Sequence, residues 1–245
     1  MKILISIDDT DNIESRGTGE IAELLAEGIT ERGWGRCGPV TRHQLLVHPD
    51  IPYTSHNSSM CFPADIGGDM LSAVTDYCCS ALAAESAPGS DPGLCVLAPE
   101  MLTQPEVLMN YGRKAKTTVI SKQEAYDTAA SLGIHLSEHG GTGQGVIGAL
   151  AGAGLRLTGN DGRFKGKLHI PSTDGTATVK NIRTCGIDLV KTLEGKVLED
   201  SEAVHVGEWV KRVLLDEKAV LIVVPADNGP GPAWKASGKK VFRNF

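Results

Sequence analysis

The stretch KILISIDDTD, residues 2–11, decides how this chain folds. Its first six residues are mostly apolar and rich in isoleucine, which predicts a short buried strand. From Glu20 to Arg32 apolar residues recur at helical spacing, and Gly33 supplies a stop signal. Strand, polar loop and helix therefore make one βα unit. Its loop lies at the carboxyl end of the strand, where open α/β sheets place their ligands.

The rest of the chain alternates strand and helix patterns. Strands are predicted around residues 40–47, 58–62 and 94–97, and helices over residues 66–84, 104–115, 122–132 and 146–153. Residues 135–139 show no convincing strand pattern. After Leu155 short strands and turn signals dominate. We therefore expect an α/β fold with mixed sheets, in which residues 1–194 form an α/β domain and residues 195–245 a small β-rich segment.

Composition limits the compartment and the partners. The 245 residues contain 24 Lys and Arg against 30 Asp and Glu, a net charge of -6, so any RNA contact needs a local basic patch. The six cysteines form no CxxC pair, and no signal peptide is evident, which indicates the reducing cytoplasm. No apolar run reaches the ~18 residues of a membrane helix. We expect no membrane partner.

An acidic cluster follows the first strand. Asp8, Asp9 and Asp11 crowd like charges together, which is costly unless a cation shares the site. Oxygen ligands at a strand end suit magnesium, which usually binds through one or two carboxylates, waters and substrate phosphates. Thr10 and Thr18 add hydroxyl groups, and Thr18 stands where it could cap a helix or lie beside a phosphate. The alternative is a solvated Asx-type turn.

A glycine-rich stretch, GGTGQG at residues 140–145, precedes the helix predicted from Val146. Glycines let backbone amides close around phosphate, and a helix start supplies further donors. Gly141, Thr142, Gly143 and Gly145 are therefore candidate nucleotide-binding residues. The alternative is a flexible turn, because a dinucleotide fingerprint needs a preceding strand and a P-loop needs a lysine followed by serine or threonine.

Polar residues gather around a Pro-bounded loop, residues 48–52. Arg42 is a candidate to meet phosphate, and His56 and Asn57 are candidates to orient a substrate. Simple bonding of these side chains to backbone is the alternative. Zinc is not expected there, because the histidines lack Cys or His companions at ligand spacing.

Three segments together resemble the archaeal tRNA agmatinylcytidine synthetase family. They are ISIDDTD at residues 5–11, HPDIP at residues 48–52 with Asn57 following, and GVIGALA at residues 145–151. They occur in the family's order and at similar spacing, over roughly residues 1–190.

The resemblance implies a function. The family uses ATP to activate a cytidine in the anticodon of an isoleucine tRNA and then attaches agmatine. By resemblance, Asp8, Asp9 and Asp11 would manage metal and phosphoryl transfer in a kinase-like domain. Thr18 would match a threonine that becomes phosphorylated. A ferredoxin-like insert would run over about residues 62–135.

One departure limits what the resemblance implies. The family continues into an OB-fold and a zinc ribbon that recognise tRNA, and this sequence ends without a CxxC. We therefore expect a stand-alone relative of the kinase-like half, and agmatine transfer does not follow.

The leading hypothesis is an ATP- and magnesium-dependent enzyme that transfers a phosphoryl group to RNA or to a nucleotide-like small molecule. Two alternatives stay open. One is a non-catalytic nucleotide-binding module. The other is an aspartate-nucleophile phosphohydrolase, because residues 9–13 approximate a DxDx(T/V) strand end.

Overall fold

The protein divides into two compact units, residues 1–158 and 159–245. The computed structural model describes residues 1–51, 56–172, 174–226, 231–238 and 241. Each unit combines strands with helices, so the mixed α/β class predicted from the sequence is confirmed. None of the described helices is both long and apolar enough to cross a membrane.

The first unit is a mostly antiparallel sheet covered by helices on both faces. Its strands are β1 (Lys2–Asp8), β2 (Gly35–Cys37), β3 (Thr41–Gln44), β4 (Ser58–Ile66), β5 (Gly93–Leu97) and β6 (His135–Glu138). Its helices are α1 (Thr18–Glu31), α2 (Leu71–Glu85), α3 (Pro105–Lys114), α4 (Lys122–Leu132) and α5 (Gly145–Leu157). The strand order is β6-β5-β1-β4-β3, with β2 also pairing with β4. β1 is therefore central, with an antiparallel neighbour on each side.

The side chains of β1 alternate between two hydrophobic cores, as the period of a strand requires. Ile3, Ile5 and Ile7 enter the core that α1 and α2 complete. Leu4 enters the core formed with α3, α4 and α5. On the same face as Leu4 lie Ser6, which is fully buried, and Asp8 at the strand end. A polar edge of β1 is thus held under helix α5.

Glycines allow helix α5 to pack closely against helix α3. A Cβ placed on Gly154 would overlap the carbonyl oxygen of Leu108 in α3. A Cβ on Gly112 of α3 would come within 2.8 Å of the Leu155 nitrogen and 2.9 Å of the Ala151 oxygen. The backbones of α3 and α5 therefore touch, and no larger residue fits between them.

The second unit is a smaller sheet, and the one α-helix among its described residues is short. It contains β7 (Arg163–Phe164), β8 (Thr176–Thr178), α6 (Val179–Thr184), β9 (Leu189–Thr192), β10 (Ala203–His205), β11 (Val213–Leu215), β12 (Lys218–Pro225) and β13 (Trp234–Ala236). The order is β7-β11-β12-β13-β10-β8, and β9 pairs with β12 in parallel. Its core gathers buried aliphatic side chains from α6, β9, β10 and β12. The β-rich character expected near the end of the chain is present here.

Two expectations about secondary structure are corrected. Residues His135–Glu138 form β6, which pairs antiparallel with β5, although no strand was expected there. The pairing partner lies some forty residues earlier in sequence, so the local pattern does not reveal it. The helix expected over residues 66–84 begins only at Leu71, because Ile66 still belongs to β4 and a turn at Gly67 follows.

The unit boundary also differs from the expected one at residue 194. It falls between Thr158 and Gly159. The physical reason is strand pairing: β9, before the expected boundary, lies in register with β12, after it. The segment between residues 159 and 194 therefore belongs with the chain that follows it.

We predict that Gly154→Ala destabilises the protein by about 1–3 kcal/mol, because the methyl group overlaps the backbone of α3. Helix propensity alone predicts the opposite sign, a gain of about 1 kcal/mol for replacing glycine by alanine in a helix. The matched control is Gly68→Ala, where a Cβ meets nothing within 4 Å and the change should lie within about 0.5 kcal/mol. Urea unfolding measures both; an equal or higher stability of Gly154→Ala would contradict the close packing.

Candidate functional site

The candidate site begins with a carboxylate buried at the end of β1. Asp8 pairs with Gly93 of β5 and lies on the face covered by α5. A Cβ on Gly148 of α5 would overlap the Asp8 carboxylate, and a Cβ on Gly152 would overlap the hydroxyls of Ser6 and Ser59. The spacing of four residues places both glycines on one helix face. Helix α5 can therefore lie directly over the polar edge of β1.

Burial and crowding change the protonation of two aspartates. Burial raises the pKa of Asp8 to about 8, with the charges of Asp9 and Asp11 adding to the effect. Burial also raises the pKa of Asp9 to about 6, with Asp91 and Asp11 adding. Without a cation, these carboxyl groups accordingly hold protons at a pH where an exposed aspartate is ionised.

The residues after Asp8 form a tight turn into α1. Asp9 adopts a left-handed backbone (φ 52°), which aspartate tolerates better than most residues. Thr10 is buried, and its N–H donates to the Thr18 hydroxyl at 3.4 Å. The Thr18 hydroxyl donates in turn to Asp11, also at 3.4 Å. The turn therefore brings the hydroxyl at the start of α1 against an acidic side chain.

The glycine-rich stretch lies against the same edge of the sheet, joined to it by Asp91. The backbone N–H of Thr142 donates to the Asp91 carboxylate, and the Thr142 hydroxyl donates to it at 2.5 Å. The Gly145 N–H donates to the Asp91 carbonyl at 3.1 Å. The N–H of Asp91 bonds to the Asp9 carboxylate, so one residue contacts both predicted elements.

The glycines of this stretch are needed for its path. Gly141 and Gly143 have φ of 56° and 75°, in the left-handed region. A Cβ on Gly145 would come within 2.9 Å of the Gly93 nitrogen and 3.0 Å of the Asp8 carbonyl oxygen. Because β6 precedes it, the stretch does connect a strand to a helix. That strand is antiparallel to β5, so the unit is not the parallel βαβ of a dinucleotide fold.

Lys122 forms hydrogen bonds on the outer side of the glycine-rich stretch. Lys122, the first residue of α4, donates to the Thr142 carbonyl at 2.8 Å and to the Glu138 carboxylate. The hydrogen bond to Glu138 raises the pKa of Lys122. The stretch is therefore held between a carboxylate on one side and an ammonium group on the other.

The three aspartates do not form a ready metal cage. Within the described ranges, no three His, Cys, Asp or Glu side chains stand as ligands around one point. The reason is their different surroundings, since Asp8 lies under Gly148 while Asp11 bonds to Thr18. The assignment of Asp8, Asp9 and Asp11 as metal ligands stays a prediction.

The residues predicted to bind substrate lie further along the sheet. Arg42 of β3 is level with Met60 of β4, which is level with Ile7 of β1, so Arg42 is two strands away, about 10 Å. It lies on the face of Ile7, opposite that of Asp8, and its Nε donates to Ser58 at 2.9 Å.

The two candidates before β4 differ in surroundings. His56 is exposed. The Asn57 side chain donates to the Leu46 carbonyl at 2.5 Å. This is a hydrogen bond to backbone, which the sequence analysis gave as the alternative to substrate binding. Pro52, the last residue of the HPDIP segment, lies outside the described residues.

Two residues of the site were missed in the sequence. Asp91 lies in a Ser/Gly/Pro-rich loop that reads as a connection, and Lys122 opens an ordinary helix. Neither belongs to a motif, and only their contacts with Thr142 single them out.

Comparison with known proteins gives a structural likeness. No protein-family model and no curated protein sequence matches this chain. Among solved structures, a tRNA fluorescent labeling enzyme matches at a TM-score of 0.56 and 24% identity, over 71% of this chain and 40% of that one. Apo TiaS, an agmatidine synthetase for an isoleucine tRNA, matches at 0.55 and 23%, over 73% and 41%. The complex of TiaS with that tRNA and ATP matches at 0.56 and 23%, over 70% and 40%.

These identities are low, so the likeness concerns the fold. The chain spans less than half the length of each of these three structures. The resemblance inferred from three short motifs is confirmed at this level: over about 70% of its length, the chain has a fold similar to that of TiaS.

Proposed function

We propose that the protein is an ATP- and magnesium-dependent phosphoryl-transfer enzyme that acts on RNA or on a nucleotide-like small molecule. The observation that supports it is the junction of the acidic turn with the glycine-rich stretch, through Asp91 and through the contact of Gly148 with Asp8. Phosphoryl transfer depends mainly on positioning and on neutralising phosphate charge. An acidic edge beside the exposed residues of a glycine-rich loop suits both requirements.

The chemistry of the carboxylates fits magnesium. Burial and neighbouring negative charges raise the pKa values of Asp8 and Asp9, and a divalent ion would relieve that repulsion. The buried hydroxyl of Thr10 has no hydrogen-bond partner in the described part of the chain. Magnesium needs only one or two protein carboxylates, so Asp8 and Asp9 would hold it without a three-aspartate cage, and Asp11 would stay with Thr18. Bound there, the ion would neutralise phosphate oxygens of the nucleotide.

The glycine-rich stretch would hold the phosphates of ATP. Gly141 and Thr142 are exposed, and their amides belong to a turn with left-handed glycines, the kind of backbone that cradles anions. Gly143 and Gly145 keep the backbone close to β5 and to Lys122. Arg42 of β3, together with His56 and Asn57 just before β4, would meet the acceptor.

Thr18 would receive the phosphoryl group within the protein. Its hydroxyl already donates to Asp11, so that carboxylate can take the proton as the oxygen attacks phosphorus. The bond between phosphorus and the leaving nucleotide oxygen breaks as the new bond forms.

The structural neighbours favour RNA as the final acceptor. One is TiaS bound to its tRNA and ATP, and another is TiaS bound to its tRNA, AMPCPP and agmatine, which covers 82% of this chain at a TM-score of 0.54 and 20% identity. We extend nucleotide and RNA binding to this chain as part of the proposal. A nucleotide-like small molecule is the second acceptor to test.

We predict that the protein incubated with Mg²⁺ and γ-labelled ATP acquires label, and that Thr18→Val lowers this labelling by roughly 100-fold or more, because the accepting oxygen is gone. ATP affinity measured by calorimetry should change little. The control is Thr30→Val, an exposed threonine near the other end of α1. Full labelling of Thr18→Val would exclude Thr18 as acceptor, and a wild-type protein that neither binds nor cleaves ATP would contradict the proposed function.

We also predict opposite effects of pH with and without magnesium. Asp8 and Asp9 have raised pKa values, about 8 and about 6 against 3.8, so between about pH 4 and 8 the folded state binds more protons than the unfolded state. Without metal, their contribution to stability therefore falls as pH rises through this window. Stabilisation by Mg²⁺ should grow over the same window, because the ion requires ionised carboxylates.

Scanning calorimetry at about pH 5.5 and 8.5, with EDTA or with Mg²⁺, measures this prediction. A tenfold change in proton affinity corresponds to about 1.4 kcal/mol, so shifts of several degrees in Tm are expected. Burial lowers the pKa of His135 and His139, which acts in the opposite sense, so the test is the difference between wild type and Asp8→Asn. Identical pH profiles of the two proteins in EDTA would contradict the burial of the Asp8 charge.

A further inference from the structure

The carboxylate of Asp91 occupies the side of the glycine-rich stretch that a phosphate would need. Both of its oxygens are used, one by the N–H of Thr142 and one by the Thr142 hydroxyl at 2.5 Å. Hydrogen bonds to an ionised acceptor are among the stronger ones in proteins. Two oxygens of a phosphate group would accept from the same two donors, so the carboxylate stands where an anion would bind.

The turn closes tightly on this carboxylate. A Cβ on Gly141 would overlap the Asp91 side chain, so the backbone of the stretch passes directly against it. Thr142 itself is exposed, while Asp91 is half-buried between the stretch and Asp9. A ligand arriving from solvent therefore meets Thr142 first, with the Asp91 carboxylate behind it.

The main chain around Asp91 is fixed on both sides. Its carbonyl accepts from the Gly145 N–H at 3.1 Å, and its own N–H bonds to the Asp9 carboxylate. Thr142 is held from its other side by Lys122 at 2.8 Å. Because both backbones are held, departure of the carboxylate from Thr142 would have to come from rotation of the Asp91 side chain.

We propose that Asp91 is a positioning residue that makes nucleotide binding depend on the metal. Without a divalent ion its carboxylate fills the donors of Thr142 and repels the phosphates of ATP. With an ion held at Asp9, the Asp91 carboxylate would turn toward it, and Thr142 would then donate to phosphate instead. The inference rests on the proposed function, and it adds an order of events. Metal binding would come first, and the glycine-rich stretch would then be free to bind the nucleotide.

Calorimetric titration with ATP, in EDTA and in Mg²⁺, tests the inference on wild type, Asp91→Asn and the control Asp127→Asn. Asparagine retains an oxygen that can accept from Thr142 but has no charge, so it neither repels ATP strongly nor follows the ion. We expect Asp91→Asn to bind ATP in EDTA about tenfold more tightly than wild type, an effect of the size expected for one partly screened charge. The ratio of the ATP affinity in Mg²⁺ to the ATP affinity in EDTA should therefore be smaller for Asp91→Asn than for wild type. Asp127 lies on α4, where its carboxylate accepts a hydrogen bond from Gln123, and Asp127→Asn should bind ATP as wild type does.

A second measurement needs no variant and no nucleotide. Hydrogen exchange of the Thr142 amide, followed by NMR in the wild-type protein, should be slow in EDTA because the N–H is bonded to Asp91. Mg²⁺ alone should accelerate it, since the carboxylate leaves. The amide of Gly145, bonded to the Asp91 carbonyl, should stay protected and serves as the internal reference.

Two results would overturn the inference: a Thr142 amide that ignores Mg²⁺, or an Asp91→Asn protein that binds ATP in EDTA no better than wild type. Failure of the proposed function looks different. If no protein binds ATP even with Mg²⁺, that function fails, and the response of the Thr142 amide to Mg²⁺ still decides the role of Asp91.

Discussion

The burial of one carboxylate under a helix is the constraint on which the rest of the first unit depends. β1 directs Leu4 into the core beneath α5, and by the same alternation it directs Ser6 and Asp8 under that helix. A helix can cover these polar groups only if it has no side chains there, and Gly148 and Gly152 meet that condition. The position of α5 and the protonation of Asp8 therefore have one cause.

This arrangement makes the site a joint product of distant segments. The acidic turn comes from the first eleven residues, and the start of α5 lies more than a hundred residues later. Asp91 lies between them and contacts both, so the two elements cannot shift independently. In the proposed function, phosphate would displace the Asp91 side chain that holds the glycine-rich stretch without ligand, so local stability and binding would be coupled.

The sequence predicts best what is local. β1, α1 and the helix after the glycines follow from hydrophobic period and stop signals, and all three form where expected. β6 is different: three of its four residues are polar, and its pairing with β5 is not visible in the local pattern. The observed unit boundary, after Thr158, differs from the one expected at residue 194 because β9 pairs with β12 across the expected division.

The candidate site could be predicted where its residues form sequence motifs. The three aspartates and the glycines are recognisable by residue type and spacing. Asp91 does not, because a single aspartate in a Pro- and Gly-containing loop is the ordinary composition of a turn. Its importance arises from two hydrogen bonds to a residue fifty-one positions away, information that exists only once the chain is folded.

The absence of a side chain at position 148 has an evolutionary consequence. An alanine there would displace the Asp8 carboxylate from its place under the helix, so a lineage that keeps the acid in this position has a reason to keep the glycine. A lineage whose residue 8 has become smaller loses that reason. Substitutions at position 148 should therefore be found chiefly in descendants that have also changed residue 8.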